Sequence, residues 1–304
     1  MKSTLQTYAG LLRMAALPFA TLFLAVVVLI FVMALRDEAP APAAPPVSLT
    51  AINAMNTGEL EKIFAGHDYQ WPPDGPVPPL GLQQMPPDMG KLDVARKKKL
   101  FFRTVLPLVL AENRRIRRQR AFVKKALQEY ATLDAPGRRR LEDIAAEYKV
   151  DGDLSQPDVR RRLLRRVDIV PPALALAQAA TESAWGDSRF TVNSNSLFGV
   201  WTWKKSHGVV PARRDPDAKH LVHTYPDLRA SVRDYMHNLN AGYAYSDFRK
   251  KRAAMRNRGE SLDPLKLADT LDRYSQRGQA YVNEIRHIML SNNLIHLSPL
   301  QLAG

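Results

Sequence analysis

Val170-Pro-Pro-Ala-Leu-Ala-Leu-Ala-Gln-Ala-Ala-Thr-Glu-Ser-Ala-Trp-Gly186 is the stretch whose pattern decides the fold. Its two prolines suit the first turn of a helix, where a missing N–H costs nothing. Leu174, Ala177, Gln178 and Thr181 then fall along one side of that helix, and Leu176, Ala179, Ala180 and Ser183 along another. Small residues at most positions imply close packing on several sides. Gly186 supplies a C-terminal stop. Glu182 therefore stands in the last turn of a buried helix, where desolvation and the negative end of the helix dipole both push a carboxyl pKa upward. A raised pKa is what a general acid working near neutral pH requires. The competing reading of the same residues is a Glu182 that points to solvent or pairs with a base such as Arg189.

Downstream, Ser188 to Gly199 reads as a polar loop ending in a small apolar triplet. Val200-Trp-Thr-Trp203 alternates like a strand. Leu221 to Tyr225 is its candidate antiparallel partner, across a loop holding Gly208, Pro211 and Pro216. A helix with a lone Glu, then a loop, then a small aromatic hairpin is the layout of a sugar cleft, because aromatic faces stack on pyranose rings. Trp201, Trp203 and Tyr225 are the cleft-wall candidates. Tyr235, Tyr243 and Tyr245 follow on a helix and its end as core or cleft wall, and Tyr281 reads as a packing residue. An inverting glycosidase needs a second carboxylate about 6.5–9.5 Å from the acid and a retaining one about 5–5.5 Å. Asp215, Asp217 and Asp227 lie in or beside the hairpin, each more simply read as a surface turn acid. His207, His220 and His223 fall within 17 residues, but His220 and His223 would point to opposite faces of one strand, which opposes chelation. No metal and no cofactor are expected.

Upstream, residues 93–168 read as a basic helical region. Between Arg96 and Lys125 there are twelve Lys or Arg and one acid, Glu112. Leu100, Phe101, Val105, Leu108, Val109, Ile116 and Phe122 recur at near-helical spacing, with Pro107 marking a kink or a helix start. Asp134-Ala-Pro-Gly137 is a turn before a short helix over 138–149. Another helix, starting between Asp153 and Pro157, carries Arg160, Arg161, Arg162, Arg165 and Arg166. Residues 39–91 hold 11 of the 22 prolines, and residues 36–92 read as an extended tether. One short helix interrupts it, capped by Asn56 or Thr57 and striped with Leu60, Ile63 and Phe64. Before it, Met14 to Leu35 is 22 residues without a charge, about 33 Å of helix and enough to cross a bilayer core. A long cleaved leader is the alternative. Lys2 and Arg13 precede this run, which argues for residues 1–13 inside and the bulk of the chain outside. The whole chain has 304 residues, a net charge of +14, 45% apolar residues and no cysteine. That excludes wholesale disorder, a disulfide framework and a thiolate nucleophile, and it favours polyanionic surroundings. Nucleic acid is not expected as a partner, because an exported domain would not meet it and the aromatic interleaving of single-strand binders is missing.

Ala177-Gln-Ala-Ala-Thr-Glu-Ser-Ala-Trp-Gly186 followed by Asn195-Ser-Leu-Phe-Gly199 resembles the glucosaminidase domain of bacterial peptidoglycan hydrolases. The resemblance is closer to the Bax-type branch. That branch shows a basic Phe-Phe/Leu-Pro helix as at 101–107, Val-Asp-Ile-Val-Pro-Pro as at 167–172 and Gly-Val-Val-Pro-Ala-Arg-Arg as at 208–214. It continues with Ser-Val-Arg-Asp-Tyr-Met-His-Asn-Leu-Asn as at 231–240 and Tyr-Ser-Gln-Arg-Gly-Gln-Ala-Tyr as at 274–281. The ordered set covers roughly 93–293. It implies a mainly helical α+β fold, a lysozyme-like core with a small β-hairpin lobe, over 169–293, with 294–304 as a tail. The resemblance further implies Glu182 as the acid that protonates the glycosidic oxygen, Tyr274 near the cleaved bond, Asn195 and Phe198 in the loop that shapes the cleft, and Trp185 and Gly186 at the helix end. Ser196 departs from the usual Asn-Asn-Leu-Phe-Gly, so one side-chain amide is missing. The implied activity is cleavage of the β-1,4 bond after N-acetylglucosamine in peptidoglycan, by a single-pass protein of the bacterial inner membrane whose domain faces the periplasm or the outside. A wall-binding scaffold without turnover and a lytic transglycosylase are the alternatives.

Overall fold

The structure, a computed structural model, describes residues 48–210, 221–297 and 300–303. The expected membrane span at 14–35, Asp215, Asp217 and His220 lie outside the described residues. Among the described residues, no helix is long and apolar enough to cross a membrane.

Residues 48–92 are not a tether. They hold strand β1 (Thr50–Ile52), helix α1 (Thr57–Gly66) and strand β2 (Leu80–Leu82), with β1 and β2 paired in parallel. Asn56 caps α1 as expected, accepting from the Glu59 N–H at 2.9 Å. Leu60, Phe64, Tyr69, Val77, Leu80, Leu82, Met85 and Met89 are all buried. Trp71 stacks on Phe102 with ring centroids 4.9 Å apart. Proline does keep this chain extended, but the apolar residues between the prolines hold it as a strap against the core. Val77 forms a bridge with Leu302, so the strap also binds the end of the chain.

Helix α2 (Val94–Gln128) starts at Asp93, whose side chain accepts from the Arg96 N–H at 3.0 Å. It runs 35 residues with Pro107 inside it, so proline neither starts nor ends it. Burial of the apolar residues around Pro107 outweighs a cost of about 3 kcal/mol. Helices α3 (Ala135–Glu147) and α4 (Pro157–Arg166) follow, and α3 is capped by Asp134. Then come α5 (Pro172–Glu182), α6 (Arg189–Ser194), α7 (Leu228–Ala241), α8 (Ser246–Asn257), α9 (Pro264–Ala268) and α10 (Gln279–Ser291). Helix α5 is the centre of the main core: every residue from Pro172 to Ala180 is buried, and it packs against α2 and α10. A second, smaller core forms where the far half of α2 meets α3 and α4, around Val123, Leu141, Ile144, Tyr148, Leu163 and Val167. Helix α2 belongs to both cores, so no gap in packing falls at residue 168.

The small lobe is a three-stranded sheet. Strands β3 (Trp201–Thr202) and β4 (Gly208–Val209) flank β5 (Leu221–His223), both antiparallel to it. The pairing of Trp201 with Val222 is the expected partnership of the two segments. The fold of the described residues is mainly helical α+β.

Many basic side chains are structural. Arg252 donates to the carbonyls of Asp168, Ile169 and Arg165 at 2.9–3.0 Å. Arg160 donates to Leu154 O and Arg166 to Tyr148 O. The Tyr148 and Arg165 carbonyls stand at the C-terminal ends of α3 and α4, where helices leave carbonyls open. Glu112, fully buried, accepts from Arg115, Arg229 and Arg233. Asp168 is held by Arg256 and lies beside Arg120 and Arg252.

Candidate active site

Glu182 is the last residue of α5. The chain reverses immediately after it through Ala184, Trp185 and Gly186, all at positive φ. The Ser183 hydroxyl ties this turn, donating to Ala179 O at 2.6 Å and accepting from the Gly186 N–H at 2.9 Å. Glycine is required at 186 because φ is +83° and a Cβ would meet Met85 and Phe101 at 3.2 Å.

The Glu182 side chain is partly buried, and it faces a cluster of tyrosines. Burial raises its pKa above the ordinary value. A hydrogen bond from Tyr281 and the charge of Arg277 pull it partly back, and Glu284 pushes it up again. Tyr281 from α10 also accepts from Gln178 Nε2 at 2.8 Å. Gln178 Oε1 accepts from the Tyr235 hydroxyl of α7 at 2.7 Å. Tyr274 stacks on Tyr281 with centroids 5.4 Å apart and planes at 8°, and it tilts against Tyr245 at 5.9 Å. Burial holds the phenols of Tyr235, Tyr245, Tyr274 and Tyr281 above their ordinary pKa, and the neighbouring Glu182 charge adds to the rise. These tyrosines are hydrogen-bonding groups, not bases.

The loop after the turn is tied to the small lobe and to α7. Asn195 ends α6 in the left-handed conformation. Its Nδ2 donates to Tyr225 O at 3.2 Å, and its Oδ1 is buried without a partner. Tyr225 donates to Asp234 at 2.6 Å and stacks on His223 at 4.5 Å. The Leu197 N–H donates to Ser231 Oγ at 3.0 Å. Phe198 lies inside, its ring 3.9 Å from and parallel to Tyr235, so it braces the tyrosine cluster from behind.

The tryptophans separate into two kinds. Trp201 is 53% exposed and Trp203 71% exposed on the small lobe. Trp185 instead meets Phe101 and Phe102 edge-on at 5.9 and 5.3 Å, with Lys98 Nζ 4.8 Å over its ring. It joins the turn after Glu182 to α2. Among the candidate second carboxylates, Asp227 caps α7 through the Ala230 N–H at 2.7 Å, which is a structural duty. Glu284 pairs with Arg277 beside Glu182. Tyr281, Gln178 and Glu284 are site neighbours that sequence reasoning missed. One signal was present: Gln178 and Glu182 are four apart, hence on one helix face, in a helix otherwise made of small and apolar residues.

Comparison with known proteins agrees with the motifs. The glucosaminidase family model, described as mannosyl-glycoprotein endo-beta-N-acetylglucosaminidase, matches residues 159–294. Over 189 residues the chain is 33% identical to Protein bax of Escherichia coli, covering 62% of this chain and 66% of that protein. The chain thus spans just under two thirds of that relative's length. Among solved structures, the catalytic domain of the autolysin Auto from Listeria monocytogenes is 19% identical, covering 59% of this chain and 86% of that one at a TM-score of 0.34. A superposition that loose carries no argument about the site.

Proposed function

The chain is a Bax-type glucosaminidase-domain protein, and from that premise we propose that it hydrolyses peptidoglycan at the β-1,4 bond after N-acetylglucosamine, with Glu182 as general acid. The observation that carries the proposal is the setting of Glu182. It ends a buried helix, and burial raises its pKa. A carboxyl so placed keeps its proton at a pH where ordinary carboxyls have lost theirs. It gives that proton to the glycosidic oxygen as the bond to the anomeric carbon breaks. Tyr274, stacked on Tyr281, supports the reacting centre. Trp201, Trp203 and Tyr225 supply the sugar-facing surface, with Asn195 in the loop that shapes it. Asp227 is occupied as a helix cap; a substrate N-acetyl carbonyl can serve as the nucleophile in place of a second protein carboxylate. We further propose that residues 14–35 anchor the chain in the bacterial inner membrane with the domain outside.

The test is mass spectrometry of purified peptidoglycan digested with the full chain, beside Glu182→Gln. Fragments with a reducing N-acetylglucosamine end, absent for the variant, are the expected result. Anhydromuramic ends would make the protein a lytic transglycosylase. Retention on the wall with no release by either form would make it a binding scaffold and sink Glu182 as the acid.

A further inference from the structure

Among the described residues three aromatic side chains are exposed: Trp201 and Trp203 on the small lobe, and Tyr243. Tyr243 is 98% exposed, the barest of the three. Helix α7 relates it to the other two. The first half of α7 is tied to the loop and the small lobe, because Ser231 holds the Leu197 amide and Asp234 accepts from Tyr225. Its middle faces the candidate site, where Tyr235 donates to Gln178, one turn before Glu182 on α5. Its end leads through Gly242 into a single turn, Tyr243–Tyr245. There Tyr245 is buried and leans on Tyr274, which stacks on Tyr281. The 14 residues of α7 span about 21 Å. The tryptophans and Tyr243 thus stand toward opposite ends of one helix, with the Glu182 site alongside its middle.

The turn that presents Tyr243 is fastened on both sides. A Cβ at Gly242 would lie 2.5 Å from both Asn238 O and Asn238 Oδ1, so only glycine lets the chain leave α7 this closely. Arg249 of α8, itself buried, donates to Gly242 O at 2.7 Å and to Leu239 O at 3.0 Å. Tyr245 closes the turn from the other side by its burial against Tyr274. A ring left in water on a backbone this well held is ordered before a ligand arrives, so little freedom is lost on binding. Tyrosine offers such a ligand an apolar face and a polar tip. We propose that Tyr243 is a glycan-binding residue, its ring the stacking face for a pyranose of the strand at a distance from the bond beside Glu182. This rests on the reading of the chain as a glucosaminidase. With the tryptophans toward one end of α7 and Tyr243 at the other, the protein recognises a length of strand and not a single sugar.

The experiment titrates soluble, peptide-free peptidoglycan strands, long enough to span α7, into the full chain by calorimetry. Glu182→Gln is present throughout, so that strands are not cut during the titration. Adding Tyr243→Ala is expected to raise the Kd about threefold to tenfold. The thermal melt should not move, because the ring is 98% exposed. Tyr243→Phe keeps the stacking face and is expected to bind within about twofold of the parent. An unchanged Kd for Tyr243→Ala overturns the proposal. A loss for Tyr243→Phe as large as that for Tyr243→Ala overturns it as well, since the ring face would then not be what binds. Strands that bind none of these forms would overturn it too. Failure of the glucosaminidase reading shows separately, as a digest by the unaltered chain that lacks reducing N-acetylglucosamine ends.

Discussion

Trp185 and Trp203 show how one residue type serves two ends. Trp185 is wedged among Phe101, Phe102 and Lys98, whereas Trp203 is 71% exposed on the small lobe. Trp185→Ala opens a gap in the joint between α2 and the turn that follows Glu182. It is expected to cost about 2–4 kcal/mol, below the range of a fully buried tryptophan because the ring is half-buried, and to lower Tm. Trp203→Ala removes little packing, so stability stays within about 0.5 kcal/mol. Loss of a stacking face for a sugar ring raises KM on soluble glycan strands by about threefold to tenfold. Thermal melts and steady-state kinetics on the two variants read both effects. A Trp203→Ala protein that melts early with unchanged KM would remove Trp203 from the sugar-facing surface.

Among the elements, α7 does most to position the site. One of its faces carries Tyr235 toward Gln178 and Ser231 toward the loop amide of Leu197. Another carries Arg229 and Arg233 to Glu112 of α2. Burial works to raise the pKa of Glu112, but Arg233, Arg115 and Arg229 outweigh it and hold the carboxyl below its ordinary value. A lowered folded pKa means that the contribution is whole above the unfolded pKa, about 4.3, and is lost as pH falls through the folded value. Glu112→Gln takes the carboxylate from a guanidinium cluster and is expected to cost about 3–5 kcal/mol. The Tm gap between the unaltered chain and this variant should hold from about pH 5.5 to 8 and close below about pH 4. A gap that instead widens on acidification would mean that another group governs the joint. Glu112 also shows what the sequence made legible. As one acid among twelve bases it was visible, yet two of its partners lie 117 and 121 residues away, beyond any local pattern. Local signals fared better: the α5 helix with Glu182 at its end and the Asn56 cap follow from spacing within a few residues, and the Trp201–Val222 pairing from two short alternating segments 21 residues apart. Tyr281 read as packing because a phenol's partners come from the fold, here Gln178 at a separation of 103 residues.

On the scale of the molecule, the chain's composition misleads about where the domain begins. Proline density suggests a spacer up to residue 92, but the apolar residues between the prolines are buried ones. Leu60, Phe64, Tyr69, Val77, Leu80, Leu82, Met85 and Met89 all lie within the main core. Backbone bonds also join this segment to the far end, with Val77 N donating to Gln301 O and Ala303 N to Val77 O, both at 2.8 Å. Eight buried side chains at about 1.5–3 kcal/mol each are comparable in size to the whole net stability of an ordinary domain, about 5–15 kcal/mol. A fragment beginning at residue 93 therefore leaves Phe101, Phe102 and the turn beside Glu182 facing water. It is expected to be aggregated or to lack a cooperative melt, whereas a fragment beginning at residue 48 should melt in one sharp transition. Limited proteolysis of the full chain gives the same comparison without redesign: no stable product should begin near residue 93. A folded, soluble 93–304 fragment with native-like circular dichroism would show that the strap is dispensable, and the joint through Gly186 and Met85 would then have no part in holding the acid.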